Sequence, residues 1–194
     1  MKIYNVIVLA SILTMSSFSV LAKDILPDGW IKAGNSPADY TMGLDEDITF
    51  DGSKSAFIEG NIAKTEGFGT LMQTSSVEDY LGQRVQLTFN IKTQDVSGWS
   101  SAWFRIDGAP KEVLAFDNMN KRQIKETTKW TEYSIVLDVP KNATKMAYGV
   151  MLSGGGKVWF DNLSFDIVDK NTPVTDMYAP KGQKEAKNLS FENE

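Results

Sequence analysis

The 194-residue chain contains no cysteine and no histidine. Without cysteine there is no disulfide, no thiol nucleophile and no lipid attached through sulfur. Without histidine, Ser-His-Asp and Cys-His catalytic sites and the usual zinc ligand sets are excluded as well. Stability must come from packing or from a bound ion. Helical periodicity is scarce too, and only "SSVEDYLG" (75–82) reads as a helical turn. Positive charge is in deficit: 20 Lys and Arg face 25 Asp and Glu, a net charge of −5. Phosphate neutralisation needs clustered Lys and Arg, so a nucleic-acid partner is not expected. Beyond the first 22 residues no run is long and apolar enough to span a membrane.

What is present begins with an export signal. "MKIYNVIVLASILTMSSFSVLA" places a Lys before an apolar run and ends in Val20-Leu21-Ala22, a small-residue cleavage pattern. A retained anchor is the alternative, weakened by Asn5 and the Thr/Ser-rich second half. The expected layout is a signal peptide over 1–22, one domain over 23–168 and a polar segment over 169–194. After cleavage no membrane contact is expected, and the product is periplasmic or secreted.

Within 23–168, short apolar or alternating runs occur at 54–59, 68–74, 84–93, 99–107, 112–117, 132–139, 145–152 and 157–168. Turn residues separate them, among them Asp51-Gly52-Ser53, Gly108-Ala109-Pro110 and Gly154-Gly155-Gly156. Many short strands with regular turn signals predict an all-β fold, an antiparallel β-sandwich or barrel. The triple glycine lacks the Lys-Ser/Thr ending of a phosphate loop and reads as a tight connection between two strands.

"WFRIDG" (103–108) poses the functional question. Strand alternation puts Phe104 and Ile106 on one face and Trp103, Arg105 and Asp107 on the other. The second face is either a solvated ion-pair ladder covered by Trp103 or the floor of a binding site. Trp99 lies two strand periods away on the same side. "LAFDNMNKR" adds Asp117, Asn118 and Arg122, and Gln73 closes "GTLMQ" nearby. Sugars present apolar faces that stack on aromatic rings and hydroxyls that suit Arg, Asp, Asn and Gln. These eight residues are the candidate ligand site, with the Trp-Arg-Asp face expected on the inner, polar side of a sheet. Trp30, Trp130 and Trp159 stand at strand borders and are read as core. A paired-carboxylate glycosidase built on Asp107 and Asp117 is a competing reading. Docking of another protein through this face is a second.

"GSKSAFI" (52–58), "GQRVQLTFNIKT" (82–93), "WTEYSIVL" (130–137) and "VWFDNLSFDIV" (158–168) resemble the signatures of galactose-binding-like jelly rolls. "GFGTLMQ", "WFRIDG", "LAFDNMNKRQI", "TTKW" and "SGGGKVWFDNLSF" are similar to an uncharacterised bacterial domain of that class. That domain also occurs fused to arabinose-type helix-turn-helix regulators. The resemblance covers nearly all of 29–168. It implies a jelly roll of the carbohydrate-binding-module kind, a non-catalytic role and a carbohydrate or other polyhydroxylated ligand. No DNA-binding segment accompanies it here, so a transcriptional role is not expected.

The last long run carries one more expectation. Strict alternation in "VWFDNLSFDIV" puts Asp161 on the same face as Trp159, Leu163, Phe165 and Ile167, directing a carboxylate towards the core. A buried charge needs a partner. Resembling modules hold a structural Ca²⁺ near this position, with help from the Glu of an "N-x-x-F-E" strand. Here "NLSFE" stands at 188–192, so Glu192 is the second candidate ligand. The alternative is that Asp161 accepts backbone hydrogen bonds and the tail is a remnant. The oligomeric state is not legible.

Overall fold

The computed structural model describes residues 25–60 and 67–178. The expected export segment over 1–22 and Glu192, with the rest of 188–192, lie outside the described residues. Among the described residues nine strands run in chain order: β1 (Ile31–Gly34), β2 (Tyr40–Asp45), β3 (Ser55–Gly60), β4 (Phe68–Ser75) and β5 (Arg84–Asp107). These are followed by β6 (Val113–Asp117), β7 (Ile124–Asp138), β8 (Lys145–Ser153) and β9 (Gly156–Val168). The expected helical turn is a short 3-10 turn at Glu78–Tyr80, and a second one spans Pro37–Asp39.

All pairings are antiparallel. The amino-terminal half of β5 pairs with β7 on one side and β9 on the other, and β9 leads on to β3 and β2. The carboxy-terminal half pairs with β6 and β8, and β8 leads on to β4 and β1. The result is two sheets facing each other and sharing β5, a β-sandwich of the expected class.

The runs 84–93 and 99–107, read as two strands, are one strand with a break in phase. Val85, Leu87, Phe89 and Ile91 point to the core at odd positions, whereas Ala102, Phe104 and Ile106 do so at even ones. The switch falls at the register shifts around Thr93 and Val96, where Asp95 has a left-handed φ of 52°. Such bulges bend a strand and let it pass from one sheet to the other. The triple glycine does connect β8 to β9. Gly156 has a φ of 101°, and a Cβ there would lie 2.4 Å from the carbonyl oxygen of Asp95. Only glycine fits against the kink.

β1, β2 and the first half of β7 escape sequence reading. β1 is four residues and ends in Gly34, whereas β7, after buried Ile124, continues with exposed Lys125, Glu126 and Thr127. Neither shows a period-2 apolar pattern.

Residues 169–178, expected to be linker, form a strap across the open side of the sandwich. The Thr175 N–H donates to the Val136 carbonyl (2.9 Å) and the Met177 N–H to the Phe116 carbonyl (2.8 Å). The N–H of Phe116 in turn donates to the Asp176 carboxylate (3.0 Å). The strap thus joins β7 of one sheet to β6 of the other, satisfying backbone groups that the edge strands would leave open. Its start is anchored by Arg84, which donates to the carbonyls of Lys170 and Thr172 and pairs with Asp138.

Two carboxylates make the fold acid-sensitive. Arg84, against which the burial of Asp138 works, and Lys170 hold the Asp138 carboxyl at about 2. Burial pushes Asp45 up, but hydrogen bonds from the Trp159 indole and the Ile48 and Asp47 N–H groups, with Lys157, outweigh it and leave it at about 2. Both values lie below that of an unfolded Asp. Their stabilisation is therefore full above pH ~4 and lost as the pH falls towards 2. Asp45 contributes about 2 kcal/mol at neutral pH, and the half-exposed Asp138 pair about 1 kcal/mol after screening. The melting temperature is expected to fall between pH 4 and 2, with a shallower fall in Asp45→Asn. Identical acid limbs in the two proteins would remove Asp45 from this role.

Candidate functional site: the outer face of the β5–β8–β4 sheet

Phe104 and Ile106 enter the core, so Trp99, Trp103, Arg105 and Asp107 stand on the opposite face of β5. That face is the outside of the sandwich, not the inner side expected from sequence. Registers set out its rows. Trp103 stands opposite Gly149, which stands opposite Met72. Trp99 stands opposite Ser153, followed by Phe68. Arg105 lies between Ala147 and Phe116. Trp103, Ala147 and Met151 form a small outer cluster, against which Phe68, Met72, Trp99 and Phe116 pack while remaining partly exposed.

Trp103 is the keystone of this platform and not its surface, being only 5% exposed. Its indole N–H donates to the Thr70 hydroxyl on β4 (2.9 Å), and that hydroxyl donates to the Val150 carbonyl (2.7 Å). To reach β4 the ring must cross β8. It does so where β8 carries Gly149, which has no side chain in the way. Trp99, Phe68, Met72 and Phe116 are the groups a ligand would meet.

Beside the platform lies an ion pair. Arg105 Nη2 donates to Asp107 Oδ2 (3.0 Å), and Nε lies 2.7 Å from Oδ1 without hydrogen-bond alignment. Lys145 is 3.8 Å from the same carboxylate. Asp107 is buried, and the cations balance its charge.

The remaining sequence candidates go elsewhere. Gln73 shares the parity of Leu71, hence the inner face, where its Oε1 accepts from the Tyr148 hydroxyl (2.6 Å). Asp117 stands opposite Phe104 and therefore also on the inner side. Its carboxylate accepts from the Met119 N–H (2.7 Å) and from Arg122 Nη2 (2.5 Å). Arg122 also donates to the Ser134 carbonyl (2.9 Å), tying the end of β6 to β7. These two line a cavity of about 350 Å³ closed by Thr175, Asp176 and Met177 of the strap. The Asn118 side chain caps its own turn through the Asn120 N–H (3.1 Å). The proposed eight-residue constellation is thus divided between two faces. Asp107 and Asp117 cannot flank one glycosidic bond, because the sheet lies between them. Phe68, Met72, Met151 and Phe116 were missed; the parity of "FGTLM" exposes Phe68 and Met72, but only the register brings them beside Trp99.

Asp161 departs from its expected place. Asn162 has a left-handed φ of 50°, and the β5–β9 register shifts at Thr88/Asn90. This bulge reverses the alternation: Val158 and Phe160 point inward before it, and Leu163 and Phe165 pack inward after it. Asp161 falls on the outer side. Its oxygens accept the N–H groups of Phe50 (3.2 Å), Asp51 (3.3 Å) and Asn162 (2.7 Å). Three backbone N–H groups thus partner this carboxylate, the alternative to an ion given above. Among the described residues, no group of three or more Asp or Glu is arranged to hold a metal.

Of the three tryptophans read as core, Trp30 packs against Tyr148 and Phe160 at the core margin. Trp159 is buried on the outside of the second sheet, its indole N–H donating to Asp45 (2.8 Å) with Lys92 and Lys157 over its ring. Trp130 is half-buried against Phe50.

No protein-family model matches the chain. Over 169 residues it is 41% identical to a Bacillus subtilis (strain 168) protein named "Uncharacterized HTH-type transcriptional regulator YbfP". The match takes in 86% of this chain and 57% of that protein, so the chain spans little more than half of its relative. Among solved structures, the enzymatically active domain of bacteriophage CBA120 tailspike protein 4 is similar with a TM-score of 0.57 and 17% identity, over 73% of this chain and 20% of that one. The CBM22-1 xylan-binding domain of Paenibacillus barcinonensis Xyn10C gives 0.51 and 14%, over 75% of this chain and 89% of that one. At these identities the likeness is one of fold, the β-sandwich shared with carbohydrate-binding modules.

Proposed function

We propose that this unit is a non-catalytic carbohydrate-binding module that acts after export. The carrying observation is the platform of Trp99, Phe68, Met72 and Phe116, a partly exposed apolar surface with Arg105 at its border. A contiguous, partly exposed apolar patch marks an interaction surface, and aromatic rings suit the apolar face of a sugar ring. Similarity of fold to a xylan-binding domain supports the ligand class. The leader-like segment 1–22 supports export. The Bacillus relative favours a second setting for the same module: joined to a helix-turn-helix regulator, this face would serve as its ligand sensor.

The test is titration of the full chain against a glycan panel. Trp99→Ala is expected to weaken binding at least about tenfold, since a stacked ring contributes ~1.5–3 kcal/mol when covered. The melting temperature should stay within a few degrees, because Trp99 is not part of the main core. Unchanged affinity in Trp99→Ala would place the ligand elsewhere.

A further inference from the structure

The outer platform runs into a cavity of about 610 Å³ at the β5–β6 hairpin, whose lining includes Arg105, Asp107, Lys111, Glu112, Thr144 and Lys145. Three cations and two carboxylates meet there, in a protein whose overall charge is −5. Both carboxylates are already engaged. Asp107 is held by Arg105 and Lys145, and Glu112 accepts the Ala109 N–H (3.3 Å) within the hairpin. The cations are not used up. Arg105 meets Asp107 through Nε and Nη2, and its Nη1 has no hydrogen-bond partner among the described residues. Lys111 has no ion-pair partner among them, and Lys145 is more than half exposed.

From this we infer that the cavity receives the carboxylate of an acidic sugar, so that the ligand is a uronic-acid-bearing glycan. The inference rests on the carbohydrate-binding reading above. Phe116, at the near end of the platform, stands directly opposite Arg105 on the neighbouring strand. A sugar on the platform therefore brings its next substituent to the guanidinium. The free Nη1 offers a donor in the plane a carboxylate prefers, and the lysines add charge from the side. A neutral glycan leaves this excess positive charge unmatched. With the lysines exposed, the attraction is screened by salt.

The experiment uses the full chain and matched pairs of oligosaccharides: homogalacturonan fragments with free or methyl-esterified carboxyls, and xylo-oligosaccharides with or without glucuronic acid. The acidic member of at least one pair is expected to bind about tenfold tighter, with the advantage shrinking as salt rises from roughly 50 to 500 mM. Lys111→Glu and Lys145→Glu should each reduce that preference severalfold, with the circular dichroism spectrum of the parent retained. Equal binding of acidic and neutral members overturns the inference and leaves the carbohydrate reading standing. A preference untouched by both variants also overturns it, and failure to bind any member overturns both.

Discussion

Trp103→Ala is expected to lower folding stability by about 3–5 kcal/mol, the usual cost of removing a buried tryptophan. For a chain of this size that corresponds to a fall of roughly 10 °C in melting temperature. The ring is 5% exposed, and the cavity left by its removal would be bounded by Gly149, Ala147 and Met151, of which only Met151 could move partly into it. Trp103→Phe should recover much of the loss, since the Thr70 hydroxyl keeps its own bond to Val150. Thermal and urea unfolding read the effect directly. A variant that melts like the parent yet has lost ligand affinity would show that Trp103 meets the ligand and that Trp99 is secondary.

The second large effect is expected at Arg84, which is only 8% exposed. Nε and Nη2 engage Asp138 at 2.9 and 2.8 Å, while Nη1 serves the carbonyls of Lys170 and Thr172. Arg84→Ala removes these bonds together and leaves Asp138 with Lys170 alone. The expected cost is about 2–4 kcal/mol. Arg84→Lys should recover little, because an ammonium cannot reproduce the planar fork. Asp138→Asn, which keeps the carbonyl contacts, should cost about 1 kcal/mol. Limited proteolysis separates this from a general loss of stability: Arg84→Ala should open the strap at 169–178 before the sandwich unfolds. Simultaneous cleavage throughout would mean that the strap is not an independent latch.

The core was legible where a strand alternates without interruption. Leu87, Phe89 and Ile91, and likewise Phe104 and Ile106, are buried as their parity requires. That Trp103, Arg105 and Asp107 share the opposite face was legible too, but that face, expected on the inner side, lies outside. Reading failed wherever a single left-handed residue reset the phase. Asn162 in β9 moved Asp161 from an expected core position to the outside, where backbone N–H groups partner its carboxylate. Asn162 is of the type that tolerates positive φ most readily after glycine, but an Asn inside an apolar alternation does not by itself mark a bulge. Gln73, expected to join the Trp-Arg-Asp face, has the parity of Leu71 and lies inward against Tyr148.

By itself the sequence determined the chemistry open to this protein and the class of its fold. The absence of Cys and His removes Ser-His-Asp and Cys-His sites and the usual zinc ligand sets whatever these 194 residues do in space, and period-2 patterning makes sheets because alternate side chains leave a strand on opposite faces. What only the tertiary structure decided is which residues share a surface. β5 pairs with four other strands, and Phe68, Met72 and Phe116 reach Trp99 and Trp103 through registers spanning two or three of them. Asp117 and Arg122, close to that cluster in chain order, were sent to the other side because a pleated sheet separates neighbours by one residue of parity. The polar strap belongs to the same lesson. Its hydrogen-bonding groups read as solvated in isolation, and they found partners only because two sheet edges, brought together by the kink in β5, left theirs open.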